Sequence, residues 1–113
     1  MLRPLAWVMG VPWGETAYVG GLIGIKVVLN EFVAYAQFAS QLGGGVELSS
    51  RSAIILTYAL LGFANFSSIA IQIGGIGGLA PERRSEIARF GLRAMIAGNL
   101  AAFTSACIAG TLV

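Results

Sequence analysis

The chain of 113 residues is 57% hydrophobic and 11% charged, with a formal net charge of +2, and its mean hydropathy is +0.82. A water-soluble domain carries about twice that charged fraction, so the composition is that of an integral membrane protein. With no His, no Asp and a single Cys, the chain lacks the means for a disulfide framework, a Ser/His/Asp triad or most metal sites, and its few basic residues are too dispersed for nucleic-acid binding.

The opening MLRPLAWVMG holds one Arg and a short apolar stretch, but GVPWGE follows in place of a small-residue cleavage site. No signal peptide is therefore expected. Residues 1–14 read as a membrane-surface segment in which Trp7 and Trp13 suit an interfacial belt. From there to Val46, Glu15, Lys26 and Glu31 cut the uncharged runs short. None reaches the roughly 18 residues of a simple span, and pieces of about 10–14 residues suit a re-entrant element. Residues 15–41 are expected to form a helical hairpin that dips into the membrane, with Asn30 and Glu31 near its tip. Lys26 is expected to pair with an acid or to snorkel outward, without a role in binding.

QLGGGVELSSR reads as a surface turn, where three glycines stop one helix and Ser49 or Ser50 caps the next. The run from Ser52 to Pro81 carries no charge and is long enough to cross about 30 Å of hydrocarbon. Its centre, GFANFSSIAIQIGG, is polar, so an interrupted transmembrane helix is expected over 51–79, broken around Ala64–Ser67. Irregular backbone at membrane depth is tolerated only where protein or a wet cavity supplies partners. GGIGG is expected to allow close helix contact and to end the second half-helix.

APERRSE makes a second surface loop, and a final transmembrane helix is expected over 85–113. Its stretch from Ala94 to Val113 is 20 residues without charge. Arg83, Arg84, Arg89 and Arg93 crowd that loop and the start of the helix, against Arg51 alone at the other end of the preceding span. The positive-inside tendency places residues 81–93 in the cytoplasm. Asn99 reads as interhelical packing glue and Cys107 as packing.

Glu31 is the strongest single candidate, because a carboxylate at membrane depth costs a few kcal/mol unless it faces a wet cavity as a ligand or proton site. An interfacial helix-end charge is the competing reading. Asn65 and Ser68, three apart, share a face if the helix continues; plain packing competes there too. GIGGLA formally matches a dinucleotide fingerprint, but no acidic residue follows at the required distance and no βαβ unit fits. The glycosylation acceptor NFS at Asn65 is set aside because it lies within the apolar run.

GVPW, the stretch GIKVVLNEFVAY from Gly24 to Tyr35, and YALLGFANFSSIAIQIGGIGGLAPERR from Tyr58 to Arg84 resemble the C-terminal region of concentrative nucleoside transporters. The resemblance runs from about Pro4 into the last helix. It implies an all-α membrane fold, the second of two inverted repeats, in a homotrimer. It implies that Glu31, Asn65 and Ser68 hold the ribose and that Phe63 packs on the nucleoside. A carboxylate and an amide suit vicinal hydroxyls, as acceptor and as mixed donor and acceptor. It also implies that the coupling sodium ion or proton, and most nucleobase contacts, are bound outside this chain, in the N-terminal half of the transporter.

The expected function is thus the ribose-binding part of an ion-coupled nucleoside symporter with no enzymatic chemistry and no cofactor, set in membrane lipid of a plasma membrane, such as a bacterial inner membrane. Whether the chain is a C-terminal fragment, a truncated reading frame or one half of a split transporter stays open. So do two other functions: a small proton-coupled multidrug exporter, which requires four uninterrupted spans, and a non-transporting membrane subunit or remnant.

Overall fold

Short apolar helices need a reason to start and to stop, and along this chain polar caps start them while glycine or proline stops them. The computed structural model describes residues 1–113, and the chain is all-helical. Its elements are α1 (Arg3–Val8), α2 (Thr16–Val28), α3 (Glu31–Leu42), α4 (Ser50–Ala59), α5 (Phe66–Leu79), a single 3-10 turn at Pro81–Arg83, and α6 (Arg84–Leu112). Only the stretch Pro81–Leu112 is long and apolar enough to cross a membrane by itself.

Helix α2 ends at Val28 and α3 begins at Glu31, so the chain reverses over residues 29–30. Asn30 is extended (φ −166°, ψ 169°), and its side chain accepts from the Val33 amide at 2.9 Å. That is an N-cap, the position where Asn serves best because its oxygen satisfies one orphan N–H of the new helix. The two helices pack on each other as a hairpin. With 13 and 12 residues, each is about 20 Å long or less, short of a bilayer's hydrocarbon thickness.

Ser49 caps α4 by accepting from the Ser52 amide at 3.3 Å. The Glu15 carboxylate accepts from the Ser49 hydroxyl at 3.0 Å and from its amide at 3.3 Å, pinning the start of α2 to the start of α4. Helix α4 stops at Ala59, and Gly62 takes φ +87°, a left-handed value open to glycine at little cost. Asn65 is extended (φ −144°, ψ 170°) and caps α5, accepting from the Ser68 amide at 2.8 Å. The interruption therefore covers residues 60–65, earlier than the Ala64–Ser67 expected from the sequence. Asn65 opens the second half-helix, and Phe66, Ser67 and Ser68 already belong to it. Helix α5 contains GGIGG and ends at Leu79, where the span was expected to end, before Pro81, as the steric demand of proline on its predecessor dictates. Gly77 lies under the Arg84 side chain, where a Cβ would come within 2.7 Å of Cγ.

The core joins Ala6, Met9 and Val11 to Val19, Leu22 and Ile23 of α2, Ala34 and Phe38 of α3, Ile55, Leu56 and Ala59 of α4, and Ala106 of α6. Helix α5 gives it nothing; Ile71, Ile76 and Leu79 of that helix are exposed. Helix α6 packs along both halves of the interrupted helix and splints them. Small residues make this approach possible. A Cβ on Gly91 would meet Ile69 Cγ2 at 2.8 Å, on Gly98 the Ala64 Cβ at 3.0 Å, and on Gly110 the Ile55 side chain at 3.1 Å.

The start of α1 lies against α2 backbone to backbone. A Cβ on Gly20 would meet the Leu2 carbonyl carbon at 3.0 Å and the Arg3 nitrogen at 3.1 Å, both backbone atoms that cannot swing away. Its neighbour Gly21 faces open space. Gly20→Ala is therefore expected to destabilise the fold by about 1–3 kcal/mol through overpacking. Gly21→Ala should leave it unchanged or raise stability by about 0.5–1 kcal/mol through helix propensity. Melting midpoints of the two variants in detergent check the contrast, and equal midpoints would rule out the close α1–α2 approach.

Candidate functional site

Three helix ends meet at the hairpin tip: the C-terminus of α2, the N-terminus of α3 and the N-terminus of α5. Each N-terminus offers backbone N–H groups and a partial positive charge, and the C-terminus the reverse. The two charged side chains there match this field. Lys26 sits in the last turn of α2, and Glu31 in the first turn of α3.

Glu31 is half-buried, and its Oε2 accepts from Asn65 Nδ2 at 2.7 Å. Asn65 is 1% exposed. Its Oδ1 accepts from both the amide (2.8 Å) and the hydroxyl (2.9 Å) of Ser68. The structure thus gathers Glu31, Asn65 and Ser68, which are distant or merely nearby in sequence, into one chain of hydrogen bonds. They do not share a helical face, because Asn65 is a cap and only Ser68 lies inside α5. Phe63 stands beside them with 78% of its surface exposed, and its carbonyl accepts from the Asn65 amide at 3.1 Å.

Phe63, Asn65 and Ser68 line a groove of about 560 Å³ between α5 and α6, together with Gln72, Phe90 and Met95. A volume of this size suits a small polar-aromatic ligand. Glu31 is not in its wall; it reaches Asn65 from α3. The cluster offers a carboxylate with lone pairs to spare, one further amide N–H and a hydroxyl, a set able to grip adjacent sugar hydroxyls. No group of three or more His, Cys, Asp or Glu comes together to hold a metal ion.

Further polar residues surround the cluster. The Ser67 hydroxyl donates to the Leu29 carbonyl at 2.8 Å, joining α5 to the hairpin tip. Tyr35 donates its hydroxyl to the Thr57 carbonyl at 2.7 Å, joining α3 to α4. Asn99 donates from Nδ2 to the Ala64 carbonyl at 2.8 Å and to the Met95 carbonyl at 3.1 Å. This is the interhelical bonding expected of Asn99, directed at the backbone that the interruption leaves unpaired. Lys26 departs from expectation. It neither pairs with an acid nor reaches solvent, but is fully buried and donates to Asn99 Oδ1. The Asn30 cap was legible as Asn ahead of an apolar helical run, the pattern that Asn65 repeats. No local pattern marks Lys26 and Asn99 as partners.

Over residues 1–110 the chain matches the family described as "Na+ dependent nucleoside transporter C-terminus". The chain belongs to this family. It is 56% identical over 113 residues to the Bacillus subtilis transporter YutK, covering all of this chain and 27% of that protein. It is 45% identical over 115 residues to the Helicobacter pylori nucleoside permease NupC, with 28% of that protein covered. Among solved structures, the transporter CNTnw in an inward-facing substrate-bound state matches with a TM-score of 0.90 at 50% identity. That match covers 96% of this chain and 26% of CNTnw. A variant of CNTnw in an outward-facing state matches over the same shares with a TM-score of 0.89. The chain therefore spans about a quarter of the length of the relatives it matches. The exporter reading required four uninterrupted spans, and a single helix here is long and apolar enough for one.

Proposed function

We propose that this chain is the part of an ion-coupled nucleoside symporter that binds ribose. The observation that carries the reading is the Glu31–Asn65–Ser68 hydrogen-bonded cluster where the starts of α3 and α5 meet, with Phe63 exposed beside it. Glu31 and Asn65 bind the vicinal hydroxyls, Ser68 completes the grip, and Phe63 packs on the nucleoside ring. Nothing in this set calls for a bond-making step, and the chain acts as a binding and gating segment rather than an enzyme.

The membrane placement follows from the same elements. Residues 1–14 lie at the interface, 15–41 form a re-entrant hairpin, 51–79 an interrupted span and 85–113 the final span, together the second of two inverted repeats. Arg83, Arg84, Arg89 and Arg93 hold their loop on the cytoplasmic side of a plasma membrane, as in a bacterial inner membrane. The first repeat supplies the nucleobase contacts and the coupling sodium ion or proton, and three copies assemble as a homotrimer.

Uptake of tritiated uridine and adenosine by cells tests this reading. The chain is expressed alone and in place of the matching segment of the Helicobacter pylori permease. Saturable uptake of either nucleoside by the fusion, with none by the chain alone, is expected. A fusion that reaches the membrane and transports neither nucleoside would overturn it.

A further inference from the structure

We infer that Lys26 is a positioning residue for the nucleoside site, acting through Asn99 to hold the hairpin tip against the break between α4 and α5; this rests on the function proposed above. A buried ammonium is costly unless it is paired or hydrogen-bonded, and every other residue of α2 is uncharged. The exposure of Lys26 is 0%. Its Nζ donates to Asn99 Oδ1 and lies 5.7 Å from the centre of the Phe103 ring, within range of a cation–π attraction. Both partners are on α6, a helix otherwise engaged with α4 and α5.

The consequence lies in what Asn99 does with its other end. While its oxygen takes the ammonium, its Nδ2 donates to the Ala64 carbonyl, one residue before the site residue Asn65. Asn65 in turn donates to Glu31, five positions after Lys26 across the hairpin tip. The contacts close a loop: Lys26 to Asn99, Asn99 to Ala64, Asn65 to Glu31, and Glu31 back through the tip to Lys26. A closed polar loop in a low-dielectric interior fixes each member's geometry more firmly than separate bonds do. Lys26 also carries its charge on the helix that leads into the tip, where Glu31 is the only acidic side chain. The segment matches inward- and outward-facing CNTnw equally well, so a tie of this kind belongs to a piece that keeps its shape. Lys26 does not touch the site cluster itself; its effect passes through Asn99 and the charge of Glu31.

The test uses the permease fusion described above, purified in detergent, with tritiated nucleoside dissociation constants measured per folded molecule. Lys26→Met keeps an unbranched apolar stem and removes the ammonium. It is expected to raise the dissociation constant at least about tenfold, as for truncation of one partner in a buried charge-assisted bond. Asn99→Leu should do the same. The double variant should bind about as weakly as either single one, because coupled residues are not additive. Asn99→Asp keeps an acceptor for Lys26 but withdraws the N–H from Ala64, and it should weaken binding even if Lys26→Met fails to insert. A purely structural role would lower the yield of folded protein and leave its affinity unchanged. Affinity within about twofold of the parent in Lys26→Met, or in Asn99→Asp where Lys26→Met does not insert, overturns the inference, as do fully additive effects. Glu31→Gln in the same fusion separates the two levels. Parental affinity in Glu31→Gln defeats the ribose reading, whereas weakened binding there with parental affinity in Lys26→Met defeats only the role of Lys26.

Discussion

Glu31→Gln is expected to cut nucleoside affinity by about tenfold to a hundredfold while leaving the protein inserted and folded. The variant changes charge and almost nothing else. Glutamine keeps an oxygen that can accept from Asn65 Nδ2, the contact that Glu31 makes at 2.7 Å, so the α3–α5 junction survives. On the proposed function, what is lost is a charge-assisted bond to a sugar hydroxyl, and hydrogen bonds to charged groups contribute about 1.5–3 kcal/mol each. That range corresponds to the fold-change stated. Glutamine also adds N–H donors where the site needs only acceptors, so a hydroxyl must turn its own oxygen to meet them. Equilibrium binding of tritiated nucleoside to the purified fusion, with size-exclusion profiles as the control for folding, checks the result. Glu31→Gln with the parental dissociation constant would falsify the assignment of Glu31 to the sugar.

The pair that carries this prediction was partly legible in the sequence, and the way it was legible is instructive. An Asn–Glu pair between two short apolar runs is conspicuous because polar groups are costly in a membrane. Asn65 stood out for the same reason. That Glu31 and Asn65 touch, 34 positions apart, could only be inferred from family resemblance, since no periodicity relates two separate helix starts. The Ser49 cap was readable because capping is local chemistry. The break lies a few residues before the expected Ala64–Ser67, because Asn65 and the two serines belong to the start of a helix. The break itself covers residues 60–65, with Gly62 in a left-handed conformation. GGIGG lies inside the end of α5, one residue from its boundary at Leu79. Glycine lowers helix propensity by about 1 kcal/mol, which weakens a helix without ending it, and α5 continues until proline forbids it. Lys26 was the real surprise. Its partner Asn99 lies 73 positions away on a helix that could have been placed on either side of the hairpin, and only packing decides that.

Asn65→Asp separates the two tasks that Asn65 performs, and it is expected to damage binding more than any other single change at the site. The first task is capping. Asn65 Oδ1 accepts from the Ser68 amide at 2.8 Å, and aspartate is as good an N-cap as asparagine, with a favourable charge at the helix N-terminus. Helix α5 should therefore persist. The second task is donation to Glu31, which aspartate cannot perform. Two carboxylates would then face each other where asparagine now stands 2.7 Å from Glu31. Like charges at that separation cannot both ionise, and one carboxyl takes up a proton or moves away. A shared proton keeps the contact but leaves no second N–H for the proposed sugar, and movement opens the cluster. Affinity should fall by at least about a hundredfold, while the melting midpoint changes by less than in Asn65→Ala, which loses the cap at a cost of about 1 kcal/mol. Asn65→Ser, which restores a cap without adding charge, should fall between the two in affinity and recover most of the stability. The order of affinities, parent above Asn65→Ser above Asn65→Asp, is the discriminating measurement. If Asn65→Asp binds nucleoside as tightly as the parent, then Asn65 is a helix cap and no more, and the sugar must be held by other residues.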